Sequence, residues 1–127
     1  MKQNIVRGKR ILVVDDELSV RKAYRMALEF DGHTVTDANS AAEALILFTE
    51  GQFDLVVTDF EMAGMNGNAL AVRIKTLAPQ QPILMLTAYG KELGDSENPV
   101  DCILNKPCTL SDLREAIAQL LPSQIQG

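Results

Sequence analysis

The sequence predicts an α/β domain built on one parallel sheet with helices on both faces. Two observations carry this. Five short apolar runs recur along the chain, and between them the apolar residues switch to helical spacing. Four of the runs also stop abruptly at polar residues suited to chemistry: Asp15-Asp16, Asp59, Thr87 and Asn105-Lys106. In open parallel α/β sheets, sites form beyond the carboxyl ends of the strands.

Each element has its own signal. Arg10 to Val14 (RILVV) reads as a buried strand ending in Asp15, Asp16 and Glu17. Val20, Ala23, Tyr24, Ala27 and Leu28 then recur at i, i+3, i+4, i+7 and i+8, the stripe of a core-facing helix, with Gly32 as its stop. His33 to Asp37 alternates enough for a second, less buried strand. Ser40 and Glu43 form an S-x-x-E capping box ahead of a stripe of Ala41, Ala44, Leu45 and Phe48, stopped at Gly51. Phe53 and Leu55 to Val57 run into Asp59 as the third strand, and Gly64 and Gly67 turn the loop behind it. Leu70, Ile74 and Leu77 mark a third helix that must end before Pro79. Pro82 to Leu86 (PILML) is the fourth strand, delivering Thr87, and Val100 to Leu104 the fifth, delivering Asn105 and Lys106. Thr109 caps a last helix with Leu110, Leu113, Ile117, Leu120 and Leu121 inward, closed by Pro122.

One segment breaks the rhythm. AYGKELGDSENP, between the fourth and fifth strands, holds Gly90, Gly94 and Pro99, with Leu93 its only aliphatic residue of any length. A short or degenerate fourth helix, or a mobile loop, is expected there. The whole is a (βα)5 pattern. Right-handed crossovers leave few topologies for it, of which the flavodoxin-like sheet order 2-1-3-4-5 is the commonest. Residues 1–9 read as a lead-in, 10–121 as one domain and 122–127 as a tail.

Bulk properties narrow the class. The chain has 127 residues, nearly half of them apolar, enough for one core. A net charge of −5 argues against direct nucleic-acid binding or attraction to an anionic membrane. Cys102 and Cys108 show no disulfide-framework or zinc spacing, which fits a reducing, cytoplasmic setting. No apolar run approaches the ~20 residues of a membrane span. Lys2, Arg7, Lys9 and Arg10 precede only Ile11 to Val14, a strand and not a signal-peptide core. His33, the one histidine, reads as a surface residue, so neither a Ser-His-Asp triad nor a self-contained phosphohistidine relay is expected.

In the expected topology Asp15, Asp16, Asp59, Thr87 and Lys106 converge. Carboxylates ~5 Å apart repel by roughly 3 kcal/mol per pair at an effective dielectric near 20. Lys106 offsets part of this, and a hard divalent cation held by oxygen would offset more; Mg²⁺ suits a site of few carboxylates plus waters. Dinucleotide-binding folds place glycines after the first strand, where this chain has two carboxylates. An aspartate beside a metal, a hydroxyl and an ammonium is instead a fitting acceptor for phosphoryl transfer.

ILVVDDE, DLVVTDFEMAGMNG, PILMLTAYG and LNKP, in this order and spacing, resemble the receiver domain of two-component response regulators. The resemblance covers about residues 10–121. It implies that Asp59 takes a phosphoryl group from a phosphohistidine on a sensor histidine kinase or its phosphotransfer domain. It implies Mg²⁺ bound by Asp16 and Asp59, by Asp15 through water, and by the backbone carbonyl of Glu61. Thr87 would bond a phosphoryl oxygen and carry the switch. Lys106 would pair with the phosphoryl group, the Lys106–Pro107 bond would be cis, and Ala88 would keep the approach to Asp59 open. Glu61 and Tyr89 flank the site, where they are expected to be exposed and to control access of water. Such a protein is a signalling switch that catalyses only its own phosphorylation and dephosphorylation.

The chain departs from the family's pattern in places. Ala63 stands where the family usually has proline, loosening the backbone there. Ile103 stands where Tyr or Phe is common, which puts the coupled threonine–aromatic switch in question, and Cys108 where Phe is common. The degenerate fourth element looks more like receivers attached to hybrid sensor kinases than those of DNA-binding regulators. Two other functions compete. A metal-dependent phosphohydrolase would use Glu61, two residues after Asp59, as acid/base, but that class places its D-x-D after the first strand. A receiver that only docks would leave the acidic cluster without purpose.

Overall fold

The computed structural model describes residues 5–49, 52–88 and 99–121. Three strands are buried over nearly their whole length: β1 (Arg10–Val14), β3 (Leu55–Asp59) and β4 (Ile83–Thr87). That is why they read as unbroken apolar runs. β2 (Thr34–Ala38) and β5 (Cys102–Asn105) are the edges and are only partly buried. The five pair in parallel in the order β2-β1-β3-β4-β5.

Successive side chains on a strand point to opposite faces, and this divides the core in two. Leu12, Val14, Val56 and Ile83 pack on one side with Ala44 of α2 (Ala41–Leu47) and Leu70 and Ile74 of α3 (Gly67–Leu77). Ile11, Val13, Leu55, Val57, Leu84 and Leu86 pack on the other. They meet Leu28 of α1 (Leu18–Phe30) and Leu113 and Ile117 of α4 (Leu110–Leu120). The segment 89–98, where a degenerate helix is expected, lies outside the described residues, as do Gly51, the N-terminal four residues and the 122–127 tail.

Helix ends follow local chemistry. Thr109 and Asp112 cap α4 reciprocally. Asn66 Oδ1 accepts the Ala69 N–H at the start of α3. Ser40 Oγ accepts the Glu43 N–H as the capping box requires, but the Glu43 carboxylate bonds the N–H of Asn39, one residue before the cap. Gly32 ends α1 with φ +86. α2 stops at Phe48, whose backbone turns extended so that its ring stacks on Phe53 at 6.3 Å.

Five expectations shift. β2 starts one residue later than the alternation implies. β5 starts at Cys102 because the Asp101 carboxylate accepts the Ile83 N–H at 2.8 Å and takes the Lys75 ammonium at 2.8 Å. Along α1 only Leu28 of the apolar stripe is fully buried, and Ala23 is exposed. The helix is instead tied to β2 by ion pairs: Arg21 and Arg25 each reach an oxygen of Asp37 at 2.8 Å. Leu77 closes α3 more than half exposed. His33, expected at the surface, is 5% exposed, and its Nδ1 accepts the Lys9 N–H at 3.0 Å. Burial lowers its pKa, so it stays a neutral acceptor.

A half-buried ion pair clamps the pole opposite the strand ends. Arg114 of α4 donates through Nε and Nη2 to the two oxygens of Asp31, both at 2.8 Å, across 83 residues of chain. These bonds hold the Asp31 carboxyl below the usual carboxylate range. A depressed folded pKa adds stability above the unfolded value, about 3.9, that is lost as pH falls through the folded value. Asp31→Asn is therefore expected to lower the urea midpoint at pH 7, with the gap to the native chain closing below about pH 4. A gap of equal size at pH 3 would assign the loss to packing.

Candidate functional site

The sheet positions its polar residues by carrying the ladder one step past the strands. The Asp15 N–H donates to the Ala38 carbonyl at 3.2 Å, the Phe60 N–H to Leu86 at 2.9 Å and the Lys106 N–H to Thr87 at 2.9 Å. These bonds fix the backbone on which the carboxylates, the hydroxyl and the ammonium are mounted.

Asp15, Asp16 and Asp59 each bring one oxygen to a set lying within 4.8 Å of one another. Asp15 and Asp59 are buried and Asp16 is exposed. Asp15 Oδ1 accepts the Glu17 N–H at 2.9 Å, closing a tight turn. Its Oδ2 is buried with no hydrogen-bond partner among the described residues. Asp16 Oδ2 accepts the Ala63 N–H at 3.0 Å, tying the turn after β1 to the loop after β3. Lys106 Nζ sits 2.6 Å from Asp59 Oδ1 and 3.9 Å from a Glu61 oxygen. Thr87 donates its hydroxyl proton to the other Glu61 oxygen at 2.6 Å. The Lys106–Pro107 peptide bond is cis.

The electrostatics follow from these distances. Burial pushes the Asp59 carboxyl up to about 6; Lys106 opposes this, and Asp15 and Glu61 add to it. Asp15 is raised chiefly by burial, with the Glu17 amide opposing. Burial alone would lower the Lys106 ammonium, but Asp59, with Asp15 and Glu61 behind it, outweighs that and its pKa is raised. Three carboxylates at this spacing repel by about 3 kcal/mol per pair at an effective dielectric near 20, and one ammonium offsets only part of that. The donor set is all oxygen, and Asp15 Oδ2 lacks a partner. A hard divalent cation such as Mg²⁺ fits these residues.

Other expected site residues fall as follows. Ala88 is exposed at the end of β4. Ile103 is half-buried on β5, in register with Met85. Tyr89 lies outside the described residues. Glu61 is partly buried and engaged, not a free flanking group. Cys102 and Cys108 are free, and burial raises both thiols, away from nucleophile or metal-ligand chemistry.

One contributor was missed in the sequence and another was placed differently. Arg21 donates from Nη1 to the Asp15 carbonyl at 2.8 Å while its Nε holds Asp37 at 2.8 Å, so it braces the acidic turn from α1. Its place six residues after Asp15, on the first turns of the helix, was the available signal. The Glu61 side chain is expected from the sequence as an exposed flanking group, and its contacts with Thr87 and Lys106 are tertiary facts that its motif position does not show.

The loop's two glycines serve different ends. Gly64 has φ +77 with open space where a Cβ would be, so it supplies the turn. Gly67 is needed for close approach: a Cβ there would lie 2.4 Å from the Asp59 carbonyl oxygen and 3.0 Å from Phe60 Cα. Gly67→Ala is expected to lose about 1–3 kcal/mol in urea unfolding as α3 is forced off β3. Gly64→Ala should lose only about 1 kcal/mol from its left-handed backbone. A Gly67→Ala loss no greater than that of Gly64→Ala would remove the close-approach account.

Comparison with known proteins yields consistent matches. The family model described as the response regulator receiver domain matches residues 11–118. The alginate biosynthesis transcriptional regulatory protein AlgB of Pseudomonas putida is 34% identical over 119 residues, covering 88% of this chain and 26% of AlgB. The phosphate regulon transcriptional regulatory protein PhoB of Pseudomonas aeruginosa is 35% identical, covering 89% and 50%. The chain thus spans about a quarter to half the length of these curated relatives. Among solved structures, the response regulator TrrA of Thermotoga maritima, in complex with Mg²⁺-BeF, has TM-score 0.82 and 35% identity, covering 89% of this chain and 99% of TrrA. The receiver domain of the hybrid histidine kinase CckA has TM-score 0.75 and 32% identity, covering 88% and 98%. Both transcriptional regulators and a hybrid kinase are therefore among its relatives. Among the described residues no helix is long and apolar enough to cross a membrane.

Proposed function

This chain belongs to the response regulator receiver domain family, and on that premise we propose that Asp59 is its phosphoacceptor. The observation that carries the assignment is the Asp59 carboxylate at the end of β3, 5% exposed, with the Lys106 ammonium 2.6 Å away and two further aspartates beside it. Receivers are components of signalling proteins. In this reading the chain turns over no metabolite and catalyses only its own phosphorylation and dephosphorylation, in the cytoplasm.

The donor is a phosphohistidine on a sensor histidine kinase or its phosphotransfer domain. An Asp59 oxygen attacks phosphorus, the N–P bond breaks and the imidazole nitrogen leaves with its electron pair, giving an acyl phosphate. Lys106 lies where it can hold the nucleophile ionised and then pair with the transferred group. Thr87, whose hydroxyl faces the same pocket, bonds a phosphoryl oxygen. Asp15, Asp16, Asp59 and the Glu61 carbonyl would hold Mg²⁺. That ion, when bound, supplies the positive charge that offsets the carboxylate repulsion and the incoming phosphoryl charge. Ala88, small and exposed, leaves the approach to Asp59 open. With Ile103 in place of a large aromatic, the switch rests on Thr87 and on what it bonds, and it alters binding to a downstream partner.

Intact mass after incubation with acetyl phosphate tests this. The native chain is expected to gain one phosphoryl group in the presence of Mg²⁺, and none without Mg²⁺ or in Asp59→Asn. No gain in a folded native chain would turn the assignment toward a receiver that only docks.

A further inference from the structure

The phosphoacceptor reading gives the Glu61 side chain only a flanking place that controls access of water, yet its carboxylate reaches both donors that reading requires. Its Oε2 takes the Thr87 hydroxyl at 2.6 Å, and its Oε1 stands 3.9 Å from the Lys106 ammonium. Thr87 is fully buried, and Glu61 reaches it from the loop after β3 with a side chain about one-third exposed. A hydroxyl has one proton to donate. While Thr87 gives it to Glu61, no phosphoryl oxygen on Asp59 can receive it. Lys106 is likewise shared between Asp59, at 2.6 Å, and Glu61. A phosphoryl group on Asp59 would place further negative charge beside the Glu61 carboxylate.

We propose that the Glu61 side chain is a positioning residue that holds Thr87 and draws on Lys106 in the unphosphorylated chain. It is thus a resident competitor that the phosphoryl group must displace. The proposal rests on Asp59 being the acceptor. Glu61 thereby sets how strongly the chain resists its phosphorylated form. Where a large aromatic does not couple to Thr87, this carboxylate is a group that restrains the hydroxyl. The conversion is a rotation of the Glu61 side chain toward solvent, and it leaves the backbone carbonyl in place.

Beryllofluoride, a mimic of the phosphoryl group on a carboxylate, tests the competition at saturating Mg²⁺, with affinity read by calorimetry and ¹⁹F resonance. Glu61→Ala is expected to bind beryllofluoride about tenfold more tightly than the native chain, the scale of one charge-assisted hydrogen bond released. Glu61→Gln, which keeps an acceptor oxygen but no charge, should also bind more tightly than the native chain. Damage to a merely structural residue would weaken binding, so a gain is the distinguishing sign. Equal or weaker binding by Glu61→Ala, with the native chain binding and Asp59→Asn not binding, overturns the role of Glu61 alone. Failure of the native chain to bind, or undiminished binding by Asp59→Asn, overturns the acceptor assignment and the competition with it.

Discussion

The contact between Lys106 and Asp59 is the constraint on which the site depends. Three aspartates share a space within 4.8 Å, two of them buried, and such a cluster would disperse or protonate without a cation. Lys106 supplies one from the other side of the sheet's middle, at 2.6 Å. Because it follows β5 and Asp59 ends β3, the pair spans the intervening strand β4 and places Thr87 between them. The ion pair is thus a product of strand order, since β4 alone separates β3 from β5 and their ends come within reach.

Two supports keep that arrangement from relaxing. The ladder bonds at Asp15, Phe60 and Lys106 extend the sheet's order to the site's backbone. Arg21 adds a brace from outside the sheet, linking α1, the Asp15 carbonyl and Asp37 of β2. At the opposite pole the bidentate Asp31–Arg114 pair joins the end of α1 to α4. The helices flanking β1 and β5 are therefore secured at the end away from the chemistry, while the site end is held by the ladder bonds, the Arg21 brace and the Lys106–Asp59 pair.

Legibility in the sequence tracked the locality of the cause. The central strands were readable because burial on both faces leaves only apolar residues, and two of the helix caps because Ser40 and Thr109 act over three residues. The site residues were readable because each ends a strand. What escaped depended on distant partners. His33 is polar, and only the fold buries it against the Lys9 amide. Asp31 and Arg114 are two charges among many until the chain brings them together. The α1 stripe overstated burial because Arg21 and Arg25 turn that helix toward Asp37, which no periodicity reveals. Gly67 was legible as a glycine but for the wrong reason, since its closeness to the Asp59 carbonyl is a tertiary fact.

Ala63 carries a consequence beyond the loss of a rigid ring. Proline has no N–H, so the bond from the residue-63 amide to Asp16 Oδ2 at 3.0 Å exists because the residue is not proline. The loop after β3 is thereby moored to the carboxylate of another loop instead of being stiffened from within. Its shape and the orientation of Asp16 are coupled. Any ligand that draws Asp16 inward also pulls on the segment carrying Glu61, and movement of that segment alters what Asp16 can offer. The replacement of one ring by one methyl turns two independent loops into a linkage.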